Sequence, residues 1–237
     1  MTTNINIEEI QNKLYESLKP SGWADKLKTF ILSDDFTKIL QSLVKDVDSG
    51  NRFVPQLKYL FNAFIKCPYD DLKVVLIGQD PYPYLGIPDG LAFSCSLQDR
   101  TEASLKYMFK EIERTVYDST SYRGSPDLTR WSNQGILLLN SSLTTIVGRP
   151  GLHALLWRPF MAYLFDHLGW YKSGLIYLFM GRVAQKWAES LPDNSYKVFV
   201  SHPASAAHSR LDNWDSNNCF VKVNELLVEN KSEPIIW

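Results

Sequence analysis

Cysteine and histidine are scarce, with three Cys and four His in 237 residues. Cys67, Cys95 and Cys219 form no CxxC pair and are odd in number, which excludes a disulfide framework and leaves three reduced thiols. Three scattered cysteines also exclude a four-cysteine iron–sulfur cluster. No group of His, Cys, Asp or Glu has metal-ligand spacing, so no metal or other cofactor is expected. No apolar run approaches the roughly 20 residues of a membrane span. The polar start at residues 1–6 lacks an apolar signal core and an Arg-rich transit pattern, which points to a soluble, intracellular protein with no membrane partner. Neither charge dominates: 25 Lys and Arg against 26 Asp and Glu give a net charge of -1. That excludes a polybasic binder and leaves room for a local basic stripe. There is no GxxxxGK[ST] loop, no GxGxxG and no GxSxG elbow. Repeats, low-complexity tracts and long linkers are also missing, so one domain over 1–237 is expected.

What is present is an ordinary globular balance, 45% hydrophobic and 22% charged, with generous aromatics at 13%. Helical spacing links Phe36, Ile39, Leu40, Leu43, Val44 and Val47. It links Leu105, Met108, Phe109, Ile112 and Val116 after a polar start at Thr101. Phe160, Leu164 and Leu168 predict another helix, and Phe220, Val223, Leu226 and Leu227 a last one. Four runs are of strand length and apolar on both faces: Val74-Val75-Leu76-Ile77, Ile136-Leu137-Leu138-Leu139, Leu175-Ile176-Tyr177-Leu178-Phe179-Met180 and Val198-Phe199-Val200. Runs of that kind, with helices between them, predict an α/β fold around a buried parallel sheet.

The residues after each run carry the chemistry. The first run ends in Gly78-Gln79-Asp80-Pro81-Tyr82, the second in Asn140-Ser141-Ser142, the third in Gly181-Arg182 and the fourth in Ser201-His202-Pro203. Ligands of open parallel sheets bind beyond the carboxyl ends of the strands, so these residues predict an active-site rim. Asp80 is an acceptor able to orient water or stabilise a developing cation. His202 can donate to a developing anion. Asn140 can read an amide-like edge, and Tyr82 and Phe93 offer flat walls.

The segments Gly78-Gln79-Asp80-Pro81-Tyr82, Gly90-Leu91-Ala92-Phe93-Ser94, Leu137-Leu138-Leu139-Asn140-Ser141-Ser142-Leu143-Thr144 and His202-Pro203 resemble, in order and spacing, the signatures of uracil-DNA glycosylase. Supporting matches run from Ser21-Gly22-Trp23 to Pro234-Ile235-Ile236-Trp237, so the resemblance covers nearly the whole chain. It implies a single α/β domain with a central four-stranded parallel sheet flanked by helices. It also implies a metal-free, monofunctional glycosylase that flips deoxyuridine out of DNA and breaks the glycosidic bond through an oxocarbenium-like sugar. By motif position, Asp80 resembles the residue that orients water and stabilises the cation. His202 resembles the donor to uracil O2, and Asn140 the reader of N3–H and O4. Phe93 resembles the stacking ring, Tyr82 the wall against the thymine methyl, and Gln79 the backbone contact. Ser104 matches a phosphate-contacting serine. Arg182, Ala204, Ser205, Ala206 and Arg210 fall in the expected DNA-binding loops.

Departures from the family pattern set further expectations. Pro83 and Asp89 stand where histidine is common, and Ala204 where a phosphate-binding serine is usual. Ala206 replaces the leucine that wedges into the vacated base stack, which predicts a preference for single-stranded uracil. Leu211, further along the loop, is the alternative wedge. Pro83 and the His202-Pro203-Ala204 sequence resemble viral members such as the poxvirus enzymes. That resemblance implies a replication-protein partner. A proteinaceous DNA-mimic inhibitor is also expected, as is a place in the cytoplasm, or in the nucleus or a viral replication site, depending on host. The rival reading is a replication or processivity component on the same fold with secondary activity. A monomer is expected. His153 reads as a loop residue near DNA, His167 as a solvated helix residue, and His208 as a second occupant of the DNA loop.

Overall fold

The computed structural model describes residues 6–97, 100–118, 122–209 and 211–237, without the side chains of Trp170, Tyr171 and Ala207. In chain order these residues form α1 (Ile7–Ser17), α2 (Ala24–Ile31), α3 (Asp34–Asp48), β1 (Phe53–Val54), α4 (Asn62–Lys66), β2 (Val74–Gly78) and α5 (Ala103–Ile112). They continue as α6 (Thr129–Ser132), β3 (Ile136–Asn140), β4 (Thr145–Ile146), α7 (Arg158–Tyr171), β5 (Ile176–Met180), α8 (Arg182–Gln185), β6 (Tyr196–Val200), α9 (Ala204–His208) and α10 (Cys219–Glu229). Helix α3 shows why such stretches start where they do. Ser33 accepts a hydrogen bond from the Phe36 amide, and Asp34 and Asp35 meet the positive end of the helix. Phe36, Ile39, Leu40 and Leu43 face inward, whereas Val47, expected on the same stripe, is exposed.

The central sheet is four-stranded and parallel, in the order β3-β2-β5-β6. The period-2 alternation of the strands divides their side chains between two cores. Val75, Ile77, Leu137, Leu139, Tyr177 and Phe179 join one, together with α2, α3 and α7. Val74, Leu76, Ile136, Leu138, Ile176 and Leu178 join the other, with α5 and α10. Covering both faces in this way is what makes β2, β3 and β5 read as unbroken apolar runs. Each fully buried Leu, Ile or Phe side chain contributes about 1.5–3 kcal/mol. The run predicted at 198–200 differs. β6 is an edge strand buried on one face, with Phe199 47% exposed. The short antiparallel β1–β4 pair carries no signal in the sequence.

Topology makes the crevice. After β2 the chain runs to α5, whose Met108 and Ile112 pack in the second core. After β3 it runs to α7, whose Phe160 and Leu164 pack in the first, and after β5 to Ala184 in the first. Loops leaving β2 and its two neighbours therefore part to opposite faces and open a cleft at the strand ends. Among the described residues no helix is long and apolar enough to cross a membrane, and Cys67, Cys95 and Cys219 are buried free thiols.

The structure corrects one expectation here. Ala206, predicted to face DNA, is 2% exposed and packs in the second core. Its place on the inner side of α9 explains this, because the helix turns its exposed positions, Ser205 and His208, the other way. Ala206→Leu is therefore expected to overpack the core and lower stability by about 1–3 kcal/mol. Urea denaturation measures this, and an unchanged midpoint would mean that the methyl group faces solvent.

Candidate active site

The register of β2 on β3 sets Gly78 opposite Asn140. Beyond that pair the chains stay zipped. The Ser141 amide and hydroxyl both donate to the Gly78 carbonyl, and the Ser142 amide donates to that of Gln79. A Cβ on Gly78 would stand 2.6 Å from Asn140 Oδ1 and 3.1 Å from the Phe93 ring. Glycine is thus required for the Asn140 amide and the Phe93 ring to close over the end of β2.

Asp80 lies two residues past β2. Its carboxylate accepts a 2.5 Å hydrogen bond from the Gly151 amide and another from the Gln79 side chain. Burial raises its pKa above the usual carboxylate value, and the two donors act against that shift.

His202 follows β6. Gly181, at the end of β5, lets it come close: a Cβ there would stand 2.8 Å from His202 Cβ. The Ala204 amide donates to His202 Nδ1 over 3.1 Å, which puts the ring proton on Nε2. Burial, reinforced by His208, lowers the imidazole pKa to about 4. At neutral pH His202 is therefore an uncharged ring with a fixed acceptor side and a free Nε2–H.

The walls are braced from behind. The Tyr82 hydroxyl donates to the Phe93 carbonyl at 3.1 Å. Burial holds the Tyr82 phenol well above its ordinary pKa, so it keeps its proton. Phe93 has a left-handed backbone, φ 65°, and its ring lies 5.4 Å from that of His202. Asp89 secures the strained loop by accepting from the Leu91 amide, the Ser94 hydroxyl and the Ser96 amide. Asp89 is 2% exposed, so the aspartate that stands in place of a histidine serves the loop and not the cavity.

Asp80, Tyr82, Phe93, Asn140 and His202 all line one cavity of about 560 Å³, with Gln79, Ser104, Ala204 and Ser205 around them. His208 reaches it too. Arg182 is exposed at the start of α8 and is absent from the lining, while Arg210 lies outside the described residues. Asp80 and Gln79 also border a second lobe of about 640 Å³ that includes Gly151, Arg158 and Lys186. Gly151 escaped the sequence reading, since a backbone donor leaves no side-chain signature. His153 is 4% exposed and not a surface loop residue, because it hydrogen-bonds to Thr144 and Asp46. His167 is half-buried against Tyr69. Among the described residues no three His, Cys, Asp or Glu side chains converge as a metal site.

Comparison with known proteins agrees with this geometry. Residues 64–228 match the family model described as the uracil DNA glycosylase superfamily. The uracil-DNA glycosylase of Amoebophilus asiaticus is 36% identical over 87% of this chain and 94% of its own. That of Streptococcus uberis is 33% identical over 93% and 99%. The crystal structure of mimivirus uracil-DNA glycosylase superposes with a TM-score of 0.84 at 25% identity, covering 98% of this chain and 89% of that one. A mimivirus variant solved in complex with UGI gives 0.82 at 27%, covering 91% and 87%. With its strand order, its rim residues and its matches over most of both partners' length, this chain belongs to the uracil-DNA glycosylase superfamily.

Proposed function

We propose that this chain hydrolyses the N-glycosidic bond of deoxyuridine in DNA, releasing uracil and leaving an abasic site. The observation that carries the reading is the meeting of Asp80, Asn140 and His202 around one cavity walled by Tyr82 and Phe93. A base stacked in a duplex cannot reach such a cavity, so the nucleotide flips out to enter it. The uracil then stacks on Phe93. Asn140 accepts from N3–H and donates to O4, while His202 Nε2–H donates to O2.

As the C1′–N1 bond lengthens, its electron pair leaves with the base and positive charge gathers on the sugar. The preset Nε2–H of His202 meets the growing anion without giving up its proton, as suits a ring held neutral. Asp80 faces the cationic sugar and orients the water whose oxygen bonds to C1′. The same carboxylate takes up the proton that this water loses. Ser104, Ala204 and Ser205 flank the cavity where the DNA backbone passes, with Arg182 outside it. A proteinaceous inhibitor that mimics DNA would cover the same face, a reading supported by the mimivirus structures in complex with UGI.

Because Ala206 is buried, the wedge falls to Leu211. Its side chain is 55% exposed, its amide donates to the Ala206 carbonyl, and its carbonyl accepts from the Tyr107 hydroxyl. An apolar side chain held in this way can fill the hole left by the base. Any preference for single strands then depends on Leu211 and not on Ala206.

A gel assay on matched uracil- and thymine-containing oligonucleotides in EDTA tests the reading. Abasic product is expected from uracil alone, and Asp80→Asn is expected to slow single-turnover excision by roughly 10²–10⁴-fold with DNA affinity retained. No product from the uracil strand, or full activity of Asp80→Asn, would overturn it. Tyr82→Ala is expected to admit thymine, read as excision from a T:G mismatch. If T stays untouched there, Tyr82 is not the wall. For Leu211→Ala, excision from a U:A duplex is expected to fall further than excision from single-stranded DNA. Equal losses on the two substrates would remove Leu211 as the wedge.

A further inference from the structure

We infer that His153 is a positioning residue for Asp80: clamped between Asp46 and Thr144, it fixes the loop that presents the Gly151 amide to the Asp80 carboxylate. The inference rests on the role of Asp80 given above.

The loop at 147–156 bridges the exit of the small β1–β4 pair and the start of α7. Within it His153 is the one buried side chain, while its neighbours Leu152 and Leu155 are 54% and 80% exposed. Gly151 has a left-handed φ of 80°, and no heavy atom lies within 4 Å of where its Cβ would stand. Side-chain packing therefore does not hold Gly151 in place. What positions its amide is the tether two residues on.

That tether has a single polarity. Trp157 Nε1–H, which can only donate, gives to Thr144 Oγ1 at 2.7 Å. Asp46, which as a carboxylate can only accept, lies 3.1 Å from His153 Nε2, so that nitrogen carries the proton. His153 Nδ1 is then an acceptor for the Thr144 hydroxyl at 2.8 Å. Burial lowers the His153 pKa, which keeps this neutral arrangement at physiological pH. The chain of bonds joins the last turn of α3, the end of the strand-exit turn and the first residue before α7 at one imidazole. From there the backbone closes on itself, with Ala154 donating to the Gly151 carbonyl and Trp157 to that of His153.

The consequence falls on the Asp80 carboxylate. A hydrogen bond from an amide favours the charged form, and Asp80 is the acceptor of that bond. The catalytic carboxylate must be ionised, so the rate drops as pH falls through its pKa. Withdrawing the Gly151 donor would move that acid limb to higher pH. The other titratable and charged groups facing Asp80 across the two lobes are Tyr82, Tyr84, Glu102, His202 and His208, and Arg158, Lys186 and Glu189. None of them belongs to the tether.

The test compares His153→Ala, His153→Gln and Asp46→Ala in single-turnover excision across pH, with affinity for a non-cleavable uracil analogue in DNA and a thermal midpoint for each. His153→Ala and Asp46→Ala are expected to slow excision roughly 10- to 100-fold, with affinity unchanged and the acid limb shifted upward. His153→Gln, whose amide still donates to Asp46, is expected to recover most of the rate. Asp46 is partly exposed, so its truncation carries the test even if His153→Ala does not fold. Wild-type rates and an unmoved limb in both truncations, alongside an inactive Asp80→Asn, would overturn the inference alone. So would a loss of rate that tracks the thermal midpoint with the limb in place. A fully active Asp80→Asn would overturn the reading of the site and this inference with it.

Discussion

The site depends on the in-register pairing of β2 with β3. It sets Gly78 against Asn140, and the missing side chain at Gly78 leaves the volume into which Asn140 and the Phe93 ring settle. A slip of β2 by one residue would invert its faces, sending Val75 and Ile77 to the wrong core and parting Gly78 from Asn140. The two cores therefore fix the site indirectly. The side chains packed in the two cores hold the register, and the register places the polar residues at the strand ends.

Electrostatics then separates two of the ionisable groups facing the cavity. Burial disfavours charge on both Asp80 and His202. For His202 the neighbouring His208 acts in the same direction as burial, and the ring stays neutral down to about pH 4. For Asp80 the Gly151 amide and the Gln79 side chain pull the other way. One desolvated cleft thus holds a neutral donor and a carboxylate a few residues from different strand ends, the polarity that a charge-separating bond cleavage needs.

The sheet and much of the rim were legible in the sequence because their signals are local. Val74-Val75-Leu76-Ile77 and Ile136-Leu137-Leu138-Leu139 announce strands by composition. Asp80 and His202 follow their strands within two residues, and Asn140 ends its own. What stayed hidden depends on partners far along the chain. Asp46 and His153 are 107 residues apart and meet only after folding. Asp89 looked like a departure from a motif, and its ties to Leu91, Ser94 and Ser96 belong to a loop whose shape no periodicity encodes. Ala206 failed for a different reason. Motif position says only which segment it belongs to, and the helical twist of α9 decides which way it points.

The half-exposed strand β6 also has a consequence for how copies of the molecule meet one another in solution. Among the described residues its outer edge pairs with no further strand, and Phe199 presents an aromatic ring on the open face beside Phe179. An unpaired edge bearing exposed aromatics is a template for unwanted strand addition. Here the edge is five residues long, and it carries Lys197 with its ammonium donated toward the Leu191 carbonyl. A short edge and a charge that any added strand would have to bury are both features that disfavour edge-to-edge pairing between copies in a crowded solution.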